Sequence, residues 1–186
     1  ILGRSPLFRG IPAGDFGVLL EHLKTETRSY KKGDLICHAG EHTNALGIVL
    51  TGSVTIESDD IFGNRSVLDK VGPGQVFAET YACVPNEPML VNVAAAENCT
   101  VLFLKTAQIL SPCAVNCGHH GKLIENLLLV SAQKNLSLSR RIFHTAPKTI
   151  RGRLISYLSF QAIRENSDSF TIPFNRQQLA DYLSVD

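Results

Sequence analysis

Along the first thirty residues apolar side chains return at helical spacing. Phe16, Leu19, Leu20 and Leu23 follow Pro12 and Asp15, two residue types suited to a helix start. The period then shortens. Runs rich in β-branched and aliphatic residues occupy positions 45–51, 54–57, 66–71, 89–95 and 100–105. Glycine-bearing turns separate them, at Lys32-Gly33-Asp34, Ala39-Gly40-Glu41, Thr51-Gly52-Ser53, Phe62-Gly63-Asn64 and Val71-Gly72-Pro73-Gly74. Short strands with regular turn signals predict an all-β sandwich or roll, with glycine at corners that need positive φ.

At Ser111-Pro112 the pattern becomes helical again, with Ser as N-cap and Pro in the first turn. From there to about His144 no proline interrupts the chain after Pro112. Leu123, Leu127, Val130, Leu138 and Ile142 fall on one face, which Ile124, Leu128 and Leu136 broaden. A helix of ~30 residues is roughly 45 Å long, more than a β-roll of this size covers. Its surplus apolar surface predicts a partner, and a second copy of the chain is the simplest one; the alternative is a helix lying across its own monomer. Ala146-Pro147 breaks the helix, making 144–149 a hinge. A second helix is predicted over 149–164 with Ile150, Leu154, Ile155 and Leu158 as its buried stripe. A polar turn with a strand-like run, Phe170-Thr171-Ile172-Pro173, comes next. Asn175 then caps a short helix over 176–183, and Ser184-Val185 turns the chain toward Asp186, a natural N-cap for a further helix. That order is the first half of a helix-turn-helix.

Composition is that of an ordinary soluble globular protein: 186 residues, 44% hydrophobic and 19% charged. No apolar run approaches the ~18 residues needed to cross a bilayer, and no export signal is present. The first residue is Ile1 rather than Met, which leaves room for a segment upstream. The net charge of +1 hides an asymmetry: residues 1–121 sum to −3 and residues 122–186 to +4. The basic back half is therefore the part expected to meet a polyanion. Five scattered cysteines fit reduced thiols in a cytoplasm better than a disulfide framework. Cys113, Cys117, His119 and His120 lie where the long helix is expected to begin. They read as ordinary thiols, or alternatively as a metal or redox centre at Cys113 and Cys117; otherwise no cofactor is implied. Cys37-His38, on an expected strand, reads as packing and surface, or alternatively as haem ligation. No nucleophile–base motif, phosphate-cradling glycine loop or paired carboxylates point to an enzyme.

The spacing of Lys32-Gly33-Asp34, Gly40, Gly52-Ser53-Val54 and Gly74-Gln75-Val76-Phe77-Ala78-Glu79 resembles the cyclic-nucleotide-binding β-roll of the Crp/Fnr superfamily of bacterial transcription regulators. Thr149-Ile150-Arg151-Gly152-Arg153-Leu154 and Arg176-Gln177-Gln178-Leu179-Ala180 resemble that superfamily's DNA-binding domain, so the likeness runs the length of the chain. It implies an α+β chain: a double-stranded β-helix (jelly-roll) sensor over 1–110, a dimerisation helix over 111–146 and a partial winged helix-turn-helix over 147–186. The base-reading helix would begin beyond Asp186.

The resemblance also implies site residues. In cyclic-nucleotide-binding members a Gly-Glu pair holds the ribose and an Arg-Ser pair about ten residues later holds the phosphate. Here Ala78-Glu79 and Met89-Leu90 stand in those places. A phosphate buried beside Met89 and Leu90 would lack a cation, at a cost of several kcal/mol, so the effector expected is not cyclic AMP. Ala78, Glu79, Met89, Leu90 and Val91, with Asn135, Leu138 and Ser139 from the long helix, form the expected pocket for an unknown, largely apolar small molecule. Arg176 matches the family's phosphate-contacting arginine, and Gln177 and Gln178 are expected on the DNA backbone. Leu123, Leu127, Val130, Leu138 and Ile142 are the expected dimer seam. The partners implied are operator DNA, a second copy and RNA polymerase, and no membrane. A rival reading is a stand-alone β-roll binding module such as the regulatory domain of a kinase or channel, which the helices after residue 149 disfavour.

Overall fold

The computed structural model describes residues 1–59, 65–111 and 118–185. It forms two compact units, Ile1–Ser131 and Ala132–Asp186. In the first, three short 3-10 turns lead into α1, Phe16–His22. The strands that follow are β1 Glu26–Tyr30, β2 Leu35–Cys37, β3 Ala45–Thr51, β4 Val54–Asp59, β5 Arg65–Val71, β6 Val76–Phe77, β7 Asn92–Ala95 and β8 Cys99–Lys105. A short helix α2, Glu79–Cys83, lies between β6 and β7, and another, α3 Thr106–Leu110, follows β8. Two four-stranded antiparallel sheets result, ordered β1-β8-β3-β6 and β2-β7-β4-β5. This is the roll expected from the glycine-punctuated runs, in the α+β chain that the resemblance implied. Gly33, Gly40, Gly52 and Gly74 all take positive φ.

The burial pattern explains which strands carried a hydrophobic signal. On β3, Leu46 and Ile48 face one way into a core shared with helices, while Val49 faces the other sheet. On β8, Leu102 and Leu104 join the helical side and Val101 and Phe103 the inter-sheet side. A strand covered on both faces reads as a continuous apolar run, as both do. β1 is the converse case. Its sequence Glu-Thr-Arg-Ser-Tyr is almost wholly exposed and gives no pattern; it is a strand because its backbone pairs in register with β8 from Glu26↔Phe103 to Tyr30↔Cys99. The run predicted over 89–95 becomes a strand only at Asn92, because Met89 is engaged in the loop, donating to Glu41 O at 2.9 Å and accepting from Gly40 N at 2.7 Å.

The long helix α4 is His120–Thr145. Ser111 is not its N-cap: it closes α3 in an extended conformation, with φ −70 and ψ 142. Pro112, Cys113 and Cys117 lie outside the described residues, as do Gly63 and Asp186. Leu123, Leu127 and Val130, expected on the dimer seam, are taken up by the chain's own core with Leu7, Phe8, Leu19 and Leu23. Spacing alone could not distinguish that face from the seam. Asn126 is buried on the same side and donates to Leu7 O (2.9 Å) and Arg9 O (2.8 Å). Leu138 and Ile142 remain exposed.

The second unit holds the latter half of α4, then α5 Ile150–Glu165 and α6 Arg176–Leu183. Thr149 caps α5, its hydroxyl accepting from Gly152 N at 3.0 Å. The buried face of α5 is not the expected aliphatic stripe. Ile150, Leu154 and Ile155 are exposed, and Tyr157 and Gln161 are buried instead. The reason is an aromatic cluster. The ring of Tyr157 lies 5.5 Å from that of His144, 6.1 Å from Phe174 and 5.6 Å from Tyr182, while Phe160 packs on His144 at 5.2 Å. Large rings gathered from three segments outweigh the aliphatic spacing along one helix. The strand-like run Phe170-Thr171-Ile172-Pro173 forms no strand.

Candidate functional site

In the roll, β6 delivers Ala78 at φ 58, a left-handed conformation, as the N-cap residue of α2. Glu79 follows it and is buried. The Met89 side chain is 2% exposed and belongs to the inter-sheet core with Phe77, Val93 and Val101, against which Ala78 and Val91 also pack. Leu90 is 71% exposed. The two positions where the resemblance would place an arginine and a serine are therefore a core side chain and a solvent-facing one. Neither offers a charge to an anion. Met89 also helps to wall a cleft of about 310 Å³ with Arg28, Ile36, Glu41 and Phe103. Of the expected pocket, then, Ala78, Met89 and Val91 come together. Asn135, Leu138 and Ser139 belong to the second unit, where the Ser139 hydroxyl donates to Asn135 Oδ1 at 3.5 Å.

Residues 27–116 match the family described as the cyclic nucleotide-binding domain. The chain carries a cyclic nucleotide-binding domain. No curated protein matches the chain. The fold is similar to that of the catabolite activator protein of Thermus thermophilus, at 19% identity and a TM-score of 0.60, over 97% of this chain and 81% of that one. It is also similar to the c-di-GMP responsive global regulator CLP of Xanthomonas campestris, at 16% identity and a TM-score of 0.64, over 94% of this chain and 86% of that one. The regulatory subunit of a cAMP-independent protein kinase A from Trypanosoma brucei matches at 23% identity and a TM-score of 0.56, over 72% of this chain and 46% of that one. The cyclic nucleotide-binding domain thus keeps its fold here, with the uncharged pair Met89-Leu90 after β6 and α2.

On α6 the capping expected from Asn175 is present in full. Its side chain accepts from Gln178 N at 2.9 Å, and the Gln178 side chain accepts from Asn175 N at 2.9 Å. This reciprocal box gives Gln178 a structural use. Gln177 donates to Asp181 Oδ1 at 3.0 Å, and Arg176 carries an exposed side chain at the helix start. Sequence reasoning missed what holds the other end of α6: Arg141 and Arg153 both donate to its last carbonyls. The signal available was only that two arginines stand near helix ends in a basic segment. Among the described residues no group of three or more His, Cys, Asp or Glu side chains is placed to hold a metal ion, and no helix is long and apolar enough to cross a membrane.

Proposed function

We propose that the protein is a dimeric DNA-binding transcription regulator of Crp/Fnr type whose effector is not cyclic AMP. The observation that carries the regulator reading is the second unit: after the roll come a long helix, a capped α5 and a box-capped α6 bearing an exposed arginine. Similarity to the Thermus and Xanthomonas regulators extends over this unit, whereas the kinase subunit covers a smaller share of the chain. The basic charge of residues 122–186 suits a phosphate backbone. In this reading Arg176 contacts phosphate and Gln177 supports it, with RNA polymerase as the downstream partner.

The dimer reading rests on α4. With Leu123, Leu127 and Val130 buried, the outward stripe is Ile124, Leu128, Ser131, Asn135, Leu138 and Ile142, spaced alternately four and three residues apart. That is the seam of a two-stranded coiled coil, in which a single asparagine fixes register at some cost in stability. The effector reading rests on the Met89-Leu90 pair: neither side chain offers a cation to a cyclic phosphate. The effector is therefore an uncharged or apolar small molecule.

Two measurements test the proposal. Immunoprecipitation of DNA crosslinked to the protein in its own cells is expected to recover a recurrent site with twofold symmetry; fragments without a shared sequence would overturn the DNA reading. Calorimetry with cyclic AMP is expected to show no heat of binding, and saturable binding would overturn the effector reading.

A further inference from the structure

The C-terminal end of α6 is gripped by two guanidinium groups. Arg141, on α4, donates from Nε to Tyr182 O at 3.2 Å and from Nη2 to Asp181 O at 3.3 Å. Arg153, on α5, donates from Nη1 to Leu183 O at 3.0 Å and to Ser184 O at 2.6 Å. Four successive carbonyls, from Asp181 to Ser184, thus each receive a charged donor. These are the carbonyls a helix end leaves without the usual i+4 amide, although Asp181 O also accepts from Ser184 N at 3.2 Å, and the negative end of the helix dipole favours cations. A lysine or water would meet that need alone. Arg153 does more, because its Nε also donates to Pro147 O at 3.0 Å, in the connector between α4 and α5. One rigid planar group therefore joins the connector to the turn at Ser184, which lies 31 residues beyond Arg153 itself. The connector is itself pressed onto α5: a Cβ on Gly152 would stand 2.9 Å from Pro147 Cβ. Arg141 adds the last turns of α4 to the same body, its guanidinium lying 5.7 Å from the Tyr182 ring centre.

We propose that Arg153 is a positioning residue: it fixes the C-terminal turn of α6 to the α4–α5 connector, with Arg141 as the second attachment, so that displacement of the connector moves the end of α6. The significance for DNA control rests on the function proposed above, since α6 is the helix assigned there to the phosphate backbone. The coupling itself is a property of the fold and is measurable without DNA. Its failure and the failure of the DNA reading are therefore separate results.

The test is a double-mutant cycle read by hydrogen exchange at the Ser184 and Val185 amides, which bond to Asp181 O and Ala180 O. Pro147→Gly is the perturbation of the connector. In the otherwise unchanged chain it is expected to speed exchange at both amides by about fivefold or more, within the range of coupling between residues of one network. In an Arg153→Lys background, where charge is kept but the planar fork is lost, Pro147→Gly is expected to add less than about twofold. A purely capping arginine predicts the opposite, because lysine still serves the helix dipole and the effect of Pro147→Gly would persist. Equal effects in the two backgrounds overturn the proposal. Arg153→Ala is expected to remove the coupling as well; if it instead strips protection from the whole of α6, the lysine variant decides.

Discussion

Gly47 and Phe77 offer the sharpest check on how the roll is packed, because one atom decides the outcome. A Cβ built on Gly47 would stand 2.2, 2.5 and 2.7 Å from three atoms of the Phe77 ring. Ordinary carbon contacts are about 3.5–4.0 Å, so the ring would have to retreat by roughly 1.5 Å. It has little room, being 1% exposed and packed 6.4 Å from the Phe103 ring. Gly47→Ala is therefore expected to cost about 3 kcal/mol, the upper part of the usual range for overpacking. Phe77→Ala alone is expected to cost about 3–4 kcal/mol by leaving a cavity. The double variant is expected to cost no more than Phe77→Ala, since the clash has no ring to meet, giving a coupling of about 3 kcal/mol. Urea unfolding followed by circular dichroism measures all three; the chain has no tryptophan to report. Additive costs would refute the packing argument. The pair matters to the site because Phe77 immediately precedes Ala78 and Glu79.

Two further predictions follow from strained or buried positions. Ala78 occupies a left-handed conformation that costs an L-residue about 1–2 kcal/mol, of which glycine would recover part after its own entropy loss of about 0.4–1 kcal/mol. Ala78→Gly is thus expected to stabilise the roll by roughly 0.5–1 kcal/mol in the same urea assay, and a loss of stability would contradict the assigned backbone. His144 is buried among Tyr157, Phe160 and Tyr182, and burial, with Arg140 nearby, holds its pKa below the usual 6.5. The unfolded chain then takes up a proton first as pH falls. Stability from this group is full above about 6.5 and is lost as pH drops through the lowered value. Thermal melts from pH 8 to pH 5 should show this loss, reduced in His144→Gln; an equal slope in both would remove His144 as the cause.

Much of the architecture was legible in the chain because it depends on local chemistry. Glycine at turns, continuous apolar runs at β3 and β8, the start of α5 at about Thr149 and the Asn175 cap of α6 are each set within a few residues, and the structure has them. The Met89-Leu90 pair was equally readable as chemistry without charge. What only the tertiary structure decided is which of several equivalent faces each element buries. The periodicity of α4 fits two stripes, and contact with Leu7, Phe8, Leu19 and Leu23 selects the one holding Leu123, Leu127 and Val130. On α5 the aliphatic stripe lost to Tyr157 because partner rings arrive from α4, from Phe174 and from α6. Arg141 and Arg153 gained their role the same way, from carbonyls some 30 to 40 residues distant in sequence. Periodicity specifies that a helix has an apolar face; only long-range contact specifies what that face meets.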